Sequence, residues 1–291
     1  MGLIETDETN LFTFEPFASH EFYTDVNRIF VKQALAHLHT QDANKSLTIV
    51  DMACGTGAVT RLVAEELIRQ GRTAQIRLIG VDPSAEALRR AQKGMDELGL
   101  PTTITAEFIQ GESEDLPGIV QNVDAAFFCN AIHLVPDKLV AFKLVASILA
   151  PGGIFGCNSS FYEGAYVPGT ERFYRTWTRR AVGWLKQRYP EMRLSREAKA
   201  MAMQWLTPDD YIQDLKQSGF SEVEAQYTDT AISLDAWNDL GHYWLFIEGA
   251  LPGIPLAQGA EALGEAVYKV GEELGLQEVP RTWLQMVATK E

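Results

Sequence analysis

The chain has 291 residues, 46% of them hydrophobic, with 25 Lys and Arg against 39 Asp and Glu and a formal net charge of −14. That acidity excludes general binding to DNA or RNA, because neutralising phosphates with basic side chains supplies most of such affinity. The three cysteines stand at unrelated spacings, which excludes a disulfide framework or a cysteine zinc site and points to a reducing compartment.

The start, Met-Gly-Leu-Ile-Glu-Thr-Asp-Glu, is acidic and lacks the basic region of a secretory signal. No stretch approaches the roughly 18 apolar residues of a membrane span, so a cytoplasmic protein with one large core is expected. Residues 1–45 read as an N-terminal arm and helix, with Phe17, His20, Phe22, Tyr23 and Asn27 placed to close over a ligand.

Residues 47–57, Leu-Thr-Ile-Val-Asp-Met-Ala-Cys-Gly-Thr-Gly, form an apolar strand that ends in an acid and a glycine turn. Gly55 and Gly57 let the chain turn tightly where a side chain would block a ligand. A helix over 58–69 follows. A dinucleotide fingerprint needs a third small residue where Thr60 stands, and no Lys-Ser/Thr pair follows the glycines for a P-loop. The ligand suited to this turn therefore lacks a pyrophosphate. A second apolar run, 76–81, ends in Asp82, Pro83, Ser84 and another helix; a carboxylate there can accept both ribose hydroxyls of an adenosine. A third run over 105–109 leads into Gln-Gly-Glu-Ser-Glu-Asp-Leu-Pro, and a fourth over 124–129 into Asn130-Ala131-Ile132-His133.

Taken in order, Asp51 to Gly57, Val81-Asp82-Pro83, Gly111-Glu112-Ser113-Glu114-Asp115-Leu116-Pro117 and Leu149-Ala150-Pro151-Gly152-Gly153 resemble the class I S-adenosylmethionine-dependent methyltransferases. The group resembled is the small-molecule one that includes quinone and sterol methylating enzymes, and the likeness covers about residues 45–160. It implies a Rossmann-like α/β fold: a seven-stranded, mostly parallel sheet with an antiparallel last strand, helices on both faces and helical cap insertions. The cofactor implied is S-adenosyl-L-methionine, with S-adenosyl-L-homocysteine as product. Asp51, Gly55 and Gly57 would hold its methionine end, Asp82 its ribose beside Pro83, Glu112 and Ser113 its adenine, and Asn130 the methionine carbonyl end, with Tyr23 closing from the arm. Ala53 departs from the family, where many members carry glycine; a slightly tighter turn is expected. Simpler roles stand beside these: Asp51 as a turn cap, Glu112 as one charge of a solvated loop, and Cys54 and Cys129 as packing residues.

All six tryptophans and eight of nine tyrosines follow residue 160. Such clustering suits an aromatic substrate chamber, or simply the packing of added helices. Residues 161–206 read as a first helical cap broken by Pro190. Residues 207–233 form a helix capped by Thr207 with Pro208 at its first position, then a strand over 223–232. A second helical cap covers 234–280, and a last strand 282–288 falls in the closing segment, 281–291. The whole is expected to be a single domain around the cofactor core at 46–160.

Residues 171–199 carry nine Lys or Arg against three Glu. Arg172, Arg175, Arg179 and Arg180, interleaved with Phe173, Tyr174, Trp177 and Trp184, suit an anionic substrate, an anionic membrane surface, an acidic carrier protein, or a plain solvated face. His133 and His242 are the candidate general bases, with His20, Tyr174, Trp177 and Trp244 as candidate substrate contacts; His133 can equally fix a loop. No metal site is expected. The expected activity is methyl transfer to a small hydrophobic or aromatic metabolite, to oxygen or carbon before nitrogen. The alternatives are an NAD-dependent oxidoreductase and a non-catalytic methyltransferase-like binding protein.

Overall fold

A computed structural model describes residues 9–38, 45–195 and 205–291. Seven strands, β1 (Leu47–Met52), β2 (Ile76–Asp82), β3 (Ile104–Gln110), β4 (Val123–Cys129), β5 (Leu149–Ser159), β6 (Phe220–Ser233) and β7 (Glu278–Lys290), form one sheet in the order β3-β2-β1-β4-β5-β7-β6. Strands β1 to β5 pair in parallel and β7 runs antiparallel to β5, as the resemblance implies. From β1 the chain steps outward to β2 and β3, then returns to place β4 on the other flank of β1. Such a reversal opens a crevice beyond the carboxyl ends of β1 and β4, where ligands of open α/β sheets bind.

The helices are α1 (Glu15–Ala18), α2 (Glu21–Ala36), α3 (Ala58–Arg69), α4 (Ala85–Leu98), α5 (Leu116–Ile119), α6 (Lys138–Ile148), α7 (Glu171–Arg188), α8 (Pro208–Gln217), α9 (Leu234–Gly241), α10 (Trp244–Ala250) and α11 (Leu256–Leu274). The cap on α8 forms as its sequence predicts: the Thr207 hydroxyl accepts the Asp210 N–H at 3.1 Å, and the Asp210 carboxylate accepts that of Thr207 at 3.0 Å.

Three expected boundaries move. Among the described residues of 161–206 only α7 is helical, because Gly164 and the Pro168-Gly169 pair, with Gly169 at φ +95°, hold the preceding segment in turns. Residues 196–204, including Arg196 and Lys199, lie outside the described residues. Strand β6 extends beyond 223–232, its apolar signal diluted by outward polar residues on a sheet edge; β7 begins before Pro280, a residue that reads as a break from sequence.

The chain divides into two compact units. Residues 25–163, 206–228 and 284–291 form the sheet unit. Its core packs Phe30, Val31 and Leu35 of α2 and Leu62, Val63 and Leu67 of α3 against Leu47, Ile49, Ile76, Leu78 and Phe127 of the sheet. Residues 1–24, 164–205 and 229–283 form a helical unit. Within it Trp177 and Trp237 are fully buried and pack edge to face, and the Trp177 indole N–H donates to the Leu263 carbonyl at 2.8 Å. No described helix is long and apolar enough to cross a membrane.

Candidate active site

The turn after β1 requires unusual backbone. Ala53, Gly55 and Gly57 have φ of +50°, +53° and +80°, the left-handed region that glycine enters freely and alanine only with strain. A Cβ on Gly55 would meet no atom within 4 Å, whereas one on Gly57 would lie 2.9 Å from the Cβ of Ala91. The second glycine thus lets α3 approach α4 closely. The first borders an opening that the protein's own atoms leave unfilled.

Two buried carboxylates flank that opening. Asp51, at the end of β1, accepts the Thr60 hydroxyl at 2.5 Å. Burial pushes its carboxyl up from the ordinary 3.8 to about 7, against the hydrogen bonds from Thr60, and the nearby Asp82 charge pushes the same way. Asp82 ends β2; one carboxylate oxygen accepts the Gly55 N–H at 2.8 Å and the other the Ser84 N–H at 2.9 Å. Burial raises its carboxyl as well, against those two amides. Among the described residues neither acid forms an ion pair, and no cation offsets either shift. A pocket that holds two partly desolvated acids without a counter-cation favours a ligand that brings positive charge.

Asp82 also ties the strand ends together, since its carbonyl accepts the Gly111 N–H at 3.2 Å while its carboxylate holds the β1 turn. The Pro83 carbonyl accepts the Gln110 side-chain amide at 2.9 Å. Glu112 is exposed and opens a 3-10 turn, Ser113–Asp115, with its N–H bound by the Asp115 carboxylate at 2.9 Å.

Asn130, beyond β4, sits at φ +56°, a conformation asparagine tolerates. Its side-chain amide donates to Oδ1 of Asn27 at 3.0 Å, and the same oxygen accepts the Asn158 amide at 2.9 Å. Oδ1 of Asn158 in turn accepts the Asn130 N–H at 2.9 Å. Three asparagines, from α2, the turn itself and β5, therefore lock the turn beyond β4. His133 lies one 3-10 turn further on, buried, with Nδ1 3.0 Å from the Ser159 hydroxyl.

The remaining expected site residues belong to the helical unit. Tyr23 is buried against Phe14 and Phe17. His20 pairs through Nε2 with Asp239 at 2.7 Å. His242 has Nδ1 2.8 Å from the Asn238 carbonyl, one helical turn back, so that nitrogen donates. Tyr174 lies at 5.3 Å from both the Phe173 and Trp237 rings, and the Trp244 ring is 6.2 Å from Tyr243. Trp177 is spent on packing, its ring covered and its N–H satisfied. On α7 the side chains of Arg172, Arg175, Arg179 and Lys186 are exposed on one face, while Arg180 pairs with Glu273 at 2.6 Å.

Sequence reasoning missed three groups here. Thr60 registers only as the absence of a third glycine, yet its hydroxyl holds Asp51. Asn158 and Ser159 end β5 in a polar run, Asn-Ser-Ser, after an apolar strand. That is the strand-end signal that singles out Asp51 and Asp82, and it marks these residues too.

Residues 49–153 match the family described as "Methyltransferase domain". The ubiquinone/menaquinone biosynthesis C-methyltransferase UbiE of Campylobacter jejuni is 23% identical over 202 residues, 67% of this chain and 80% of that protein. The trans-aconitate 2-methyltransferase of Afipia carboxidovorans is 32% identical over 107 residues, 36% of each chain. The crystal structure of YcgJ from Bacillus subtilis shares the fold at a TM-score of 0.52 and 15% identity, covering 89% of this chain and 97% of that one. The match spans the strands and turns that carry both acids and the glycine turn, so residues 49–153 are similar to a methyltransferase domain, and the relatives named here are methyltransferases of small molecules.

Proposed function

We propose that the sheet unit holds S-adenosylmethionine along the ends of β1, β2 and β4 and presents it to a hydrophobic acceptor bearing an enol or phenol oxygen. The observation that carries this reading is the pair of buried acids that no cation among the described residues offsets, set beside the opening at Gly55. Asp51, with Ala53, Gly55, Gly57 and Asn130, holds the methionine end. Asp82 holds the ribose: each of its oxygens uses one lone pair on a backbone amide, which leaves the others for two hydroxyls. Pro83, Glu112 and Ser113 border the adenine, and Tyr23 closes from the arm. When bound, this cofactor supplies a methyl group made electrophilic by its sulfonium. The chain's part is to place the acceptor atom about 3 to 3.5 Å from that methyl group and to exclude water, which can supply roughly 7 to 11 kcal/mol of barrier lowering.

The acceptor class draws on two supports. One relative is named as a ubiquinone/menaquinone biosynthesis C-methyltransferase and another as a demethylmenaquinone methyltransferase, and the helical unit is rich in aromatic side chains, among which His20, His242, Tyr174 and Trp244 are proposed acceptor contacts. Calorimetry with S-adenosylhomocysteine tests the cofactor assignment. Asp82→Ala is expected to weaken binding roughly 10- to 100-fold, the worth of one hydrogen bond to a charged group. Undiminished affinity in that variant would remove Asp82 from the ribose. Hydroquinones and 1,3-diketones with isotopically labelled S-adenosylmethionine then test the acceptor, since product mass and carbon spectra separate O- from C-methylation.

A further inference from the structure

Helix α7 turns Phe173, Trp177, Ala181 and Leu185 into the helical unit, where all four are buried. Arg172, Arg175, Arg179 and Lys186 are exposed. At about 100° per residue they fall within about 60° of one another, on the side opposite the buried face. Their spacing is i, i+3, i+7 and i+14, which makes a row about 21 Å long. Among the described residues none of these four side chains is in an ion pair; the cation of α7 that is paired, Arg180, stands on the flank of the row and binds Glu273 at 2.6 Å. The one acid of the helix, Glu171, lies at its start and accepts the Gly169 N–H at 3.0 Å.

Four like charges on one face of a helix inverts the sign of a protein whose net charge is −14. Helix α11 packs against α7 and borders the row with exposed acids: Glu273 holds Arg180, and Glu261 accepts the Tyr189 hydroxyl at 3.1 Å. The positive potential is therefore confined to a narrow strip. A bilayer lies over an area wider than that strip, so its anionic plane would meet the acids of α11 as well, and the large apolar side chains of α7 face inward where they cannot insert. A long nucleic acid runs well past the row, over a protein of opposite demand. An acidic helix has the matching width and period, since carboxylates at the same spacing meet all four cations.

We propose that the row formed by Arg172, Arg175, Arg179 and Lys186 is a docking surface for an acidic helix of a partner protein that carries carboxylates at the same helical spacing. Pairs made here stay exposed, so each multiplies the affinity by only about 1.4 to 5. The complex therefore forms fast, dissociates readily and weakens with salt. The docking goes beyond the methyl-transfer reading: it rests on the charges of α7 and α11 and holds whatever ligand the sheet unit takes.

The probe is a fluorescently tagged, alanine-based helical peptide of about six turns with Glu at i, i+3, i+7 and i+14, titrated against the full chain. Its anisotropy should rise saturably, with a half-point in the millimolar range or below. In the chain labelled with nitrogen-15 arginine, the Nε signals of Arg172, Arg175 and Arg179, each identified by its loss on replacement by Gln, should shift together. Raising the salt from about 50 to about 300 mM should weaken binding about 10-fold. Replacing Arg172, Arg175, Arg179 and Lys186 together by Gln should weaken it about 10-fold or more and leave the thermal unfolding midpoint in place. A peptide with Lys at the four positions should not bind, and one with the same Glu spread around the helix should bind several-fold more weakly. Absence of binding, equal binding of the two Glu peptides, or shifts confined to other arginines overturns the proposal. So does capture of the natural chain, but not of the fourfold variant, by phosphatidylserine vesicles or a DNA duplex when the peptide fails, since the row would then serve a membrane or a nucleic acid. The natural chain with the three peptides decides alone if the fourfold variant does not fold. Calorimetry with S-adenosylhomocysteine stands apart: its failure counts against the methyltransferase reading and leaves the docking result untouched.

Discussion

Asp51 should cost the ligand-free protein stability, and the cost should grow with pH. Burial lifts its carboxyl from 3.8 to about 7, so the folded state binds a proton that the unfolded chain releases between those values. A raised acid contributes stability that is fully present below the unfolded value and lost as pH rises through the folded one. The difference of about three pKa units corresponds to about 4 kcal/mol across the whole window. Between pH 5.5 and 8.5 it amounts to about 2 kcal/mol, because at the lower pH much of the loss has already occurred. Asp51→Asn keeps an oxygen for the Thr60 hydroxyl and removes the ionisation. Thermal unfolding of both proteins without ligand, at pH 5.5 and 8.5, isolates the Asp51 contribution from other titrating groups. The difference in melting temperature between variant and natural chain should widen at pH 8.5 by roughly 4 °C or more, with the variant the more stable. The variant should also bind the cofactor more weakly, because the charge that destabilises the empty pocket attracts a cationic ligand. A pH-independent difference would refute the account of Asp51 as a buried, uncompensated acid.

Other outcomes follow from the same geometry. Ala53 pays for a left-handed φ of +50°; Ala53→Gly relieves about 1 kcal/mol of strain, offset in part by the freer unfolded chain, so urea unfolding should show a net gain of about 0.5 kcal/mol. Asn27→Ala should cost about 2 to 4 kcal/mol in the same measurement, because it deprives the buried amide of Asn158 and the half-buried amide of Asn130 of their shared acceptor. The exposed Arg175 and Arg179 have no carboxylate partner among the described residues, so replacing both by Gln should leave the unfolding midpoint within the equivalent of about 0.5 kcal/mol; a larger loss would show that the row is packed and not solvent-facing.

The parts of the site that could be read from the chain are those whose cause is local. An apolar run that stops at an acid beside glycines signals a strand end and a turn whether or not its neighbours are known, and Asp51, Gly55, Gly57 and Asp82 all announce themselves in this way. The helical cap on α8 is equally local, since Thr207, Pro208 and Asp210 satisfy one another. What stayed hidden is fixed across the sheet. Asn27 sits in a helix far from Asn130 and Asn158 in sequence, and only the placement of β4 beside β5 lets one oxygen serve two amides. Ser159 and His133 are separated in sequence by a helix and a strand, yet the fold brings the hydroxyl within 3.0 Å of Nδ1. Aromatic clustering misled in one respect, because density of rings does not separate lining from packing: Trp177 and Trp237 are sealed in the helical unit, while Trp244 is only half-buried. Ligand choice is thus legible where strand ends carry charge, whereas hydrogen-bond networks across the sheet depend on partners that folding alone brings within reach. The pH dependence of Asp51 and the loss expected at Asn27 therefore test the folded arrangement more directly than loss of binding at Asp82, which the motif alone would already lead one to expect.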